Sequence, residues 1–314
     1  MNTILTKDMA PIIIFVYNRL EHIKKCITSL SEAYGATDSI LYIFSDGAKK
    51  GQEEKIEKVR KYINSSEIKK KFKQVIVIES LENNGLAKSI ISGVSKVISE
   101  HKRCIVLEDD VIVAKDFIEY MNSGLEFYEN NNMVWSIAGV NLISPEKIKE
   151  DVYFAGRICS CAWATWKDRW DLVDWNVSDY KKFKFNFKAR HDFNKYGTDR
   201  SNMLDRQMFQ KINSWAIRFD YAEFKHNMVS VYPKYTKAKD DGHDGKGTHF
   251  TEATDRLNVE LPDKIYKYTF TDVKSKNKKI AQEFRCLLAL RWQARLKRFV
   301  LREIESITGK KVFK

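Results

Sequence analysis

Three consecutive carboxylates, Glu108-Asp109-Asp110, follow directly on the apolar run Cys104–Leu107. Carboxylates crowded at the end of a buried strand repel one another unless a cation or hydrogen-bond donors compensate. A divalent metal held by carboxylate oxygen, its shell completed by substrate phosphates, is one way to compensate, and it suits reactions in which a departing diphosphate gathers negative charge. The alternative is a solvated acidic turn, or a cap for a helix starting near Asp116. Other polar groups follow other apolar runs. Tyr17-Asn18-Arg19 follows Pro11–Val16, and Arg19 has the chemistry to pair with phosphate or to sit as a surface residue in a first helical turn. Asp46-Gly47 follows Ile40–Phe44, with an acceptor suited to a base or ribose beside a glycine that permits close approach; an ordinary Asp-Gly turn has the same look. Asn83-Asn84-Gly85-Leu86-Ala87-Lys88 reads as a loop entering a helix, with Gly85 and Lys88 as candidate pocket residues.

The elements that must position these groups can be read from the spacing. Pro11–Tyr17, Ile40–Phe44, Val75–Ile78 and Cys104–Leu107 are continuous apolar runs. They alternate with helical periodicity over Glu21–Leu30, Glu53–Ile63 and Leu86–Ile98. That rhythm predicts a parallel α/β sheet, because strands covered on both faces lose the inside-outside alternation. Ligands of such sheets bind beyond the carboxyl ends of the strands, where Tyr17–Arg19, Asp46-Gly47 and Glu108–Asp110 would share one edge. A helix is expected over Asp116–Tyr128, strands near Val134–Ala138 and Val229–Tyr232, and a polar helix over Asp199–Trp215. Trp163, Trp166 and Trp170 are spaced as one helical face, for which core packing is the default and a sugar-stacking role for one of them the alternative.

Composition narrows the class. With 314 residues, 43% hydrophobic and 12% aromatic, the chain can bury a sizeable core, and wholesale disorder is excluded. Five cysteines with no C-x-x-C pair argue against a disulfide scaffold and a cysteine zinc site. Neither G-x-G-x-x-G nor G-x-x-x-x-G-K-[ST] occurs, which disfavours a dinucleotide dehydrogenase and a P-loop NTPase. No apolar run approaches the ~20 residues of a membrane span, so the expectation is a soluble cytoplasmic chain with reduced thiols. The net charge of +13 is concentrated in Lys274–Lys314, where thirteen Lys and Arg face three Glu. There Arg291, Arg295, Arg298 and Arg302 form a stripe beside Trp292, Leu296, Phe299 and Val300, on a final helix expected from about Ala281 to Ile307. Such a helix fits an anionic membrane surface and equally fits docking on its own domain or a second subunit.

Taken in order, these pieces resemble the nucleotide-sugar-dependent glycosyltransferases of the GT-A fold, in particular inverting bacterial family-2-like enzymes and N-acetylglucosaminyltransferase I. The resemblance runs from about Pro11 to Phe250. It includes Phe15–Arg19, Asp46-Gly47, Asn83–Ala87, Glu108–Asp110, Ser160–Trp166 and Gly247-Thr248-His249. It implies a mixed Rossmann-like sheet flanked by helices over residues 1–262, with a nucleotide-binding part at about 10–113 and an acceptor part at about 114–262. Residues 263–314 would form a basic linker and the C-terminal amphipathic helix. By the same resemblance Tyr17, Asn18, Arg19, Asp46, Gly47, Gly85, Lys88, Glu108 and Asp109 would bind the donor. Asp110 and His249 would bind Mn²⁺ or Mg²⁺, with His243 as a substitute for His249. Asp205, in Leu204-Asp205-Arg206-Gln207, would be the base, with Asp199 as its competitor. The implied activity is inverting transfer from a nucleotide-sugar, UDP-linked by default, to a glycan or lipid-linked saccharide in bacterial surface polysaccharide synthesis, at the inner face of the cell membrane. A sugar-nucleotide nucleotidyltransferase is disfavoured by Tyr17–Leu20, where a Gly-rich basic loop would be needed. A non-catalytic membrane or nucleic-acid binder would rely on the basic tail, and no nucleic-acid-reading motif supports a nucleic-acid partner.

Overall fold

The computed structural model describes residues 9–242, 259–273 and 277–289. His243, His249 and the arginine stripe from Arg291 to Arg302 lie outside the described residues.

The first half alternates strand and helix as the apolar pattern predicts. It runs β1 (Ile12–Val16), α1 (Leu20–Ser31), β2 (Ile40–Ser45), α2 (Glu53–Ile63), α3 (Ser66–Lys69), β3 (Gln74–Glu79), α4 (Leu86–His101) and β4 (Arg103–Glu108). Then come β5 (Val111–Val113), α5 (Phe117–Phe127), β6 (Val134–Ala138), β7 (Val152–Ala155) and β8 (Ala162–Trp166). Short helices follow: α6 (Lys167–Asp171), α7 (Tyr180–Phe185), α8 (Phe187–Phe193), α9 (Arg200–Met208) and α10 (Trp215–Lys225). The described chain closes with β9 (Val229–Pro233), β10 (Ala238–Asp240) and α11 (Lys278–Leu287).

Eight strands form one sheet in the order β3-β2-β1-β4-β8-β6-β9-β7. Strands β1 to β4 pair in parallel, while β8 runs antiparallel to both β4 and β6. The sheet is therefore mixed, and flanked by helices. Register decides what meets at its edge: Val16 lies opposite Ser45, and Phe15 opposite Glu108. The residues that follow these strands are thus brought to one edge.

Two apolar layers cover the sheet. Ile23, Ile27 and Leu30 of α1, Val59 and Ile63 of α2, and Phe117, Met121 and Leu125 of α5 fill one side. Ile90, Val94 and Val97 of α4 fill the other, with Trp135, Trp163, Trp170, Trp215 and Phe219. Trp163 and Trp166 do not share a helical face as their spacing suggested. Both belong to β8 and point to opposite sides of the sheet, and only Trp170 is helical. All three are buried.

The helix expected over Asp199–Trp215 is two helices. The first stops at Met208, Gln210 takes a left-handed φ of 57°, and Ser214 caps α10 by accepting from Ile217 N–H. Helix α11 buries Ile280 and Phe284 against Tyr153, Tyr196 and Tyr232, so this described part of the basic tail docks on its own domain. The segment before it packs Tyr268 and Phe270 on Tyr120 of α5.

Candidate functional site

Two of the three carboxylates at the end of β4 meet one guanidinium from beyond the end of β1. Arg19, at the N-cap of α1, donates to Asp109 Oδ1 through Nη2 and reaches Asp110 Oδ2 through Nη1 at 2.8 Å. Burial works against the Arg19 charge, but Asp109 and Asp110 more than offset it and raise its pKa. One cation does not balance this cluster. Glu108 lies beside both aspartates, and Asp240 adds a fourth carboxylate that acts on Glu108. Burial, then Asp110, Asp240 and Asp109, push the Glu108 carboxyl well above the usual range. Burial likewise pushes Asp109 up to about 6, against the pull of Arg19.

Asp110 sits between β4 and β5, where the small antiparallel pair of β5 and β10 folds the chain back over it. Asp241 N–H donates to the Asp110 carbonyl at 2.8 Å. A Cβ on Gly242 would lie 2.2 Å from Asp110 Oδ2, so that position accepts only glycine while Asp110 keeps its place. Asp110 Oδ1 is buried and has no hydrogen-bond partner among the described residues. A buried carboxylate oxygen without a donor is costly, and a hard anionic oxygen is the kind of ligand a divalent cation takes. Among the described residues no three His, Cys, Asp or Glu side chains are grouped so as to hold a metal by themselves. Asp110, with Asp109 beside it, would therefore hold an Mg²⁺- or Mn²⁺-type ion together with oxygens from a phosphate ligand, in the manner usual for such ions.

Asp46 does something other than present a free acceptor. Its Oδ1 accepts from Gly47 N–H at 2.9 Å and Asn84 N–H at 2.8 Å. Its Oδ2 accepts from Gly85 N–H at 2.8 Å and Asn83 Nδ2 at 3.2 Å. Four donors fill a carboxylate's capacity, so Asp46 shapes the loop that enters α4. Gly85 closes that loop at φ 75°, a left-handed value that favours glycine. Gly47 is pressed against backbone: a Cβ there would lie 2.3 Å from the Glu82 carbonyl carbon. Lys88 is exposed on the first turn of α4. Asn18 Nδ2 donates to Gln52 at 2.9 Å, and the Tyr17 hydroxyl accepts from Lys49 N–H at 3.1 Å.

Asp205 is held by other side chains. It lies within α9 and is buried, with Arg190 donating to both oxygens at 2.8 and 2.6 Å and the Tyr180 hydroxyl donating at 3.0 Å. With both oxygens engaged by the Arg190 fork and one also by the Tyr180 phenol, Asp205 in this geometry ties α7, α8 and α9 together. Its competitor Asp199 is also bidentate, to Arg157 at 2.9 and 2.8 Å. Burial works against the Asp199 charge, but the pull of Arg157 wins and lowers its pKa.

Three residues at this edge were assigned no role from the sequence. Asp240 and Gly242 lie far along the chain from Glu108–Asp110, and the pairing of β10 with β5 is what brings them to Asp110. Cys161 lies close enough to Glu108 and Asp240 to feel both carboxylates, and its Sγ is 3.8 Å from that of Cys159. The hydrogen bond between the thiols draws Cys159 down to about 7 and pushes Cys161 well up.

The glycosyl transferase family 2 model matches residues 12–212, more than half of the chain. This chain belongs to glycosyl transferase family 2. The match begins at β1 and ends just beyond α9, so it takes in the strand ends, the Asp46 loop and Glu108–Asp110. No curated protein matches the chain. Among solved structures, the chain is similar to a mannosyltransferase, PcManGT from Pyrobaculum calidifontis, in complex with GDP-Man and Mn²⁺. The identity is 12% over 52% of this chain and 46% of that one, with a TM-score of 0.38. It is also similar to S. aureus TarS 1-349, at 12% identity over 72% of this chain and 60% of that one, with a TM-score of 0.37. This family 2 chain thus spans less than two thirds of either neighbour. Its mixed sheet flanked by helices is the architecture that the GT-A resemblance implied.

The cluster carries a prediction about pH. An acid whose pKa is raised on folding binds its proton more tightly in the native state. Stability from it is present at low pH and is lost as pH rises from its unfolded to its folded value. For Asp109 the window runs from about 4 to about 6, a loss of about 3 kcal/mol at most. Wild type and Asp109→Asn should therefore be melted in metal-free buffer across that window. The expected result is that wild type loses ground to the variant as pH rises, and that Mn²⁺ restores wild type above pH 6. A difference that does not change with pH would contradict the burial argument.

Proposed function

We propose that this chain is an inverting, metal-dependent glycosyltransferase that takes a sugar from a nucleotide-sugar, UDP-linked by default. The acceptor is a glycan or lipid-linked saccharide, in bacterial surface polysaccharide synthesis at the cytoplasmic face of the membrane. Membership of glycosyl transferase family 2 supports nucleotide-sugar chemistry. Inversion, the UDP default and the acceptor class rest on the sequence resemblance.

The observation that carries the reading is the unpartnered, buried Asp110 Oδ1 on the edge that also gathers Arg19 and the Asp46-held loop. In this reading the loop at Asn83–Gly85 and the ends of β1 and β2 line the place for base and ribose. Asp109 and Asp110 would hold the metal with the donor diphosphate, and His249 is a further ligand candidate. The metal, when bound, supplies positive charge to the departing diphosphate. Arg19 then has two acidic partners that a cation would relieve, which frees its guanidinium to meet phosphate oxygens. The acceptor hydroxyl needs a proton acceptor. Asp205, which the resemblance nominates, would have to leave Arg190 to serve; paired with Arg190 it ties α8 to α9.

Calorimetric titration of UDP, GDP, dTDP and CDP, each with and without Mn²⁺, tests the reading. One nucleotide should bind at least about tenfold more tightly with metal, which corresponds to about 1.4 kcal/mol. Folded protein that binds none of the four in either condition would overturn it.

A further inference from the structure

Helices α7 and α8 meet at a corner whose outward side combines two features rarely exposed together. Inward they bury Tyr180, Phe183, Arg190 and Phe193. Outward they present Phe185, 62% exposed, and Phe187, 70% exposed, separated by one residue. That residue, Asn186, ends α7 and caps α8 by accepting from Ala189 N–H at 2.9 Å, so the two rings are held at a fixed turn. The corner is further anchored from within, because Tyr180 of α7 and Arg190 of α8 both hold Asp205.

Lysines surround the rings. Lys181, Lys182 and Lys188 are exposed, and Lys184 is half-buried with its ammonium 5.3 Å from the Phe185 ring centre. No acidic residue occurs from Tyr180 to His191. The next, Asp192, is already engaged by Lys188 at 3.3 Å and Lys195 at 2.9 Å.

We propose that this corner, Phe185 and Phe187 ringed by Lys181, Lys182, Lys184 and Lys188, is a docking surface for an anionic lipid bilayer. The rings project from a turn and are not recessed in a groove, which suits entry between headgroups. Lysine stems run along apolar material while their ammonium groups reach the lipid phosphates. The positive rim complements the negative surface potential of such a leaflet. Nine residues from Tyr180 to Lys188 are few beside the 20–30 a stable protein interface takes from each side. The inference concerns a described surface distinct from the basic tail, and it stands whether or not the transferase reading holds.

The test is co-sedimentation of the full chain with phosphatidylcholine vesicles, with and without about one third phosphatidylglycerol, at about 0.1 M salt, where charges within ~10 Å still interact. Wild type should bind the anionic vesicles and not the neutral ones. Lys181→Gln with Lys182→Gln should weaken binding about 25-fold, from about fivefold per lysine. Phe185→Ser with Phe187→Ser should weaken it at least about tenfold, since burying a large apolar side chain is worth that much or more. Both variants change exposed positions, and matching melting curves check that they fold. Three results would overturn the proposal: no binding of wild type to anionic vesicles; full binding by both variants, which places the affinity in the tail; or binding to soluble heparin as tight as to vesicles and indifferent to the phenylalanines, which identifies a polyanionic chain as the partner.

Discussion

Asp110→Asn is expected to lower transfer activity by about a thousandfold or more while leaving the fold intact. The substitution keeps the shape of the side chain, so Gly242 still packs against it and β5 still pairs with β10. What changes is charge. The amide loses the anionic oxygen that has no partner in the folded chain, and with it the strongest hard ligand at the edge. Removing one group that stabilises charge developing in a transition state costs about 10²–10³ in rate, and loss of a metal ligand weakens the ion as well as the chemistry. The metal-free protein should not suffer. Burial, then repulsion from Asp110, raises Glu108, so neutralising Asp110 removes the second of these causes and lowers Glu108 from its raised position. Three measurements on one preparation check this: transfer rate against Mn²⁺ concentration, nucleotide affinity with metal, and the melting temperature with chelator. Retained activity at an unchanged Mn²⁺ optimum would remove Asp110 from the site.

The part of this site that could be read from residues alone is the part made by strand ends. Parallel strands buried on both faces announce themselves as unbroken apolar runs, and the groups after them are carried to one edge by register. Tyr17–Arg19, Asp46-Gly47 and Glu108–Asp110 were found in that way. Three features escaped, each for a physical reason. Ala162–Trp166 is an antiparallel strand covered on both faces, so it shows no alternation, and its tryptophans imitate helical spacing. Ser214 was a readable cap that splits the polar helix, but the run of polar residues before it hid the break. Side-chain pairing is the least legible of all. Nothing in an Asp-Gly dipeptide tells that Asp46 will take four donors from Asn83–Gly85 and Gly47, and nothing in Leu204–Gln207 tells that Arg190 will close on Asp205.

That last pair sets up the sharpest structural expectation. Asp205→Asn should destabilise the chain by about 3 kcal/mol or more, a fall in Tm of roughly 5–10 °C. Both partners are nearly buried, at 10% and 8% side-chain exposure, and Arg190 also lies over the Phe183 ring with its guanidinium carbon 5.4 Å from the centre. The amide keeps one acceptor oxygen but offers no charge, so the guanidinium stays buried without its counter-ion, which is the costly half of breaking such a pair. Tyr180 loses the anionic acceptor that fixes α7 at the same time. Replacing both members, Arg190→Met with Asp205→Leu, should recover most of the loss, because apolar groups of similar size need no compensation there. Activity per folded molecule separates this from a role in proton transfer. A lost general base costs about 10²–10⁴ in rate with no change in melting. A lost tie between α7, α8 and α9 lowers the melting temperature and leaves the rate of the folded fraction within about tenfold. If the melting curve of Asp205→Asn matches wild type while its rate collapses, the guanidinium clamp must open during turnover, and Asp205 returns to the reaction as its base.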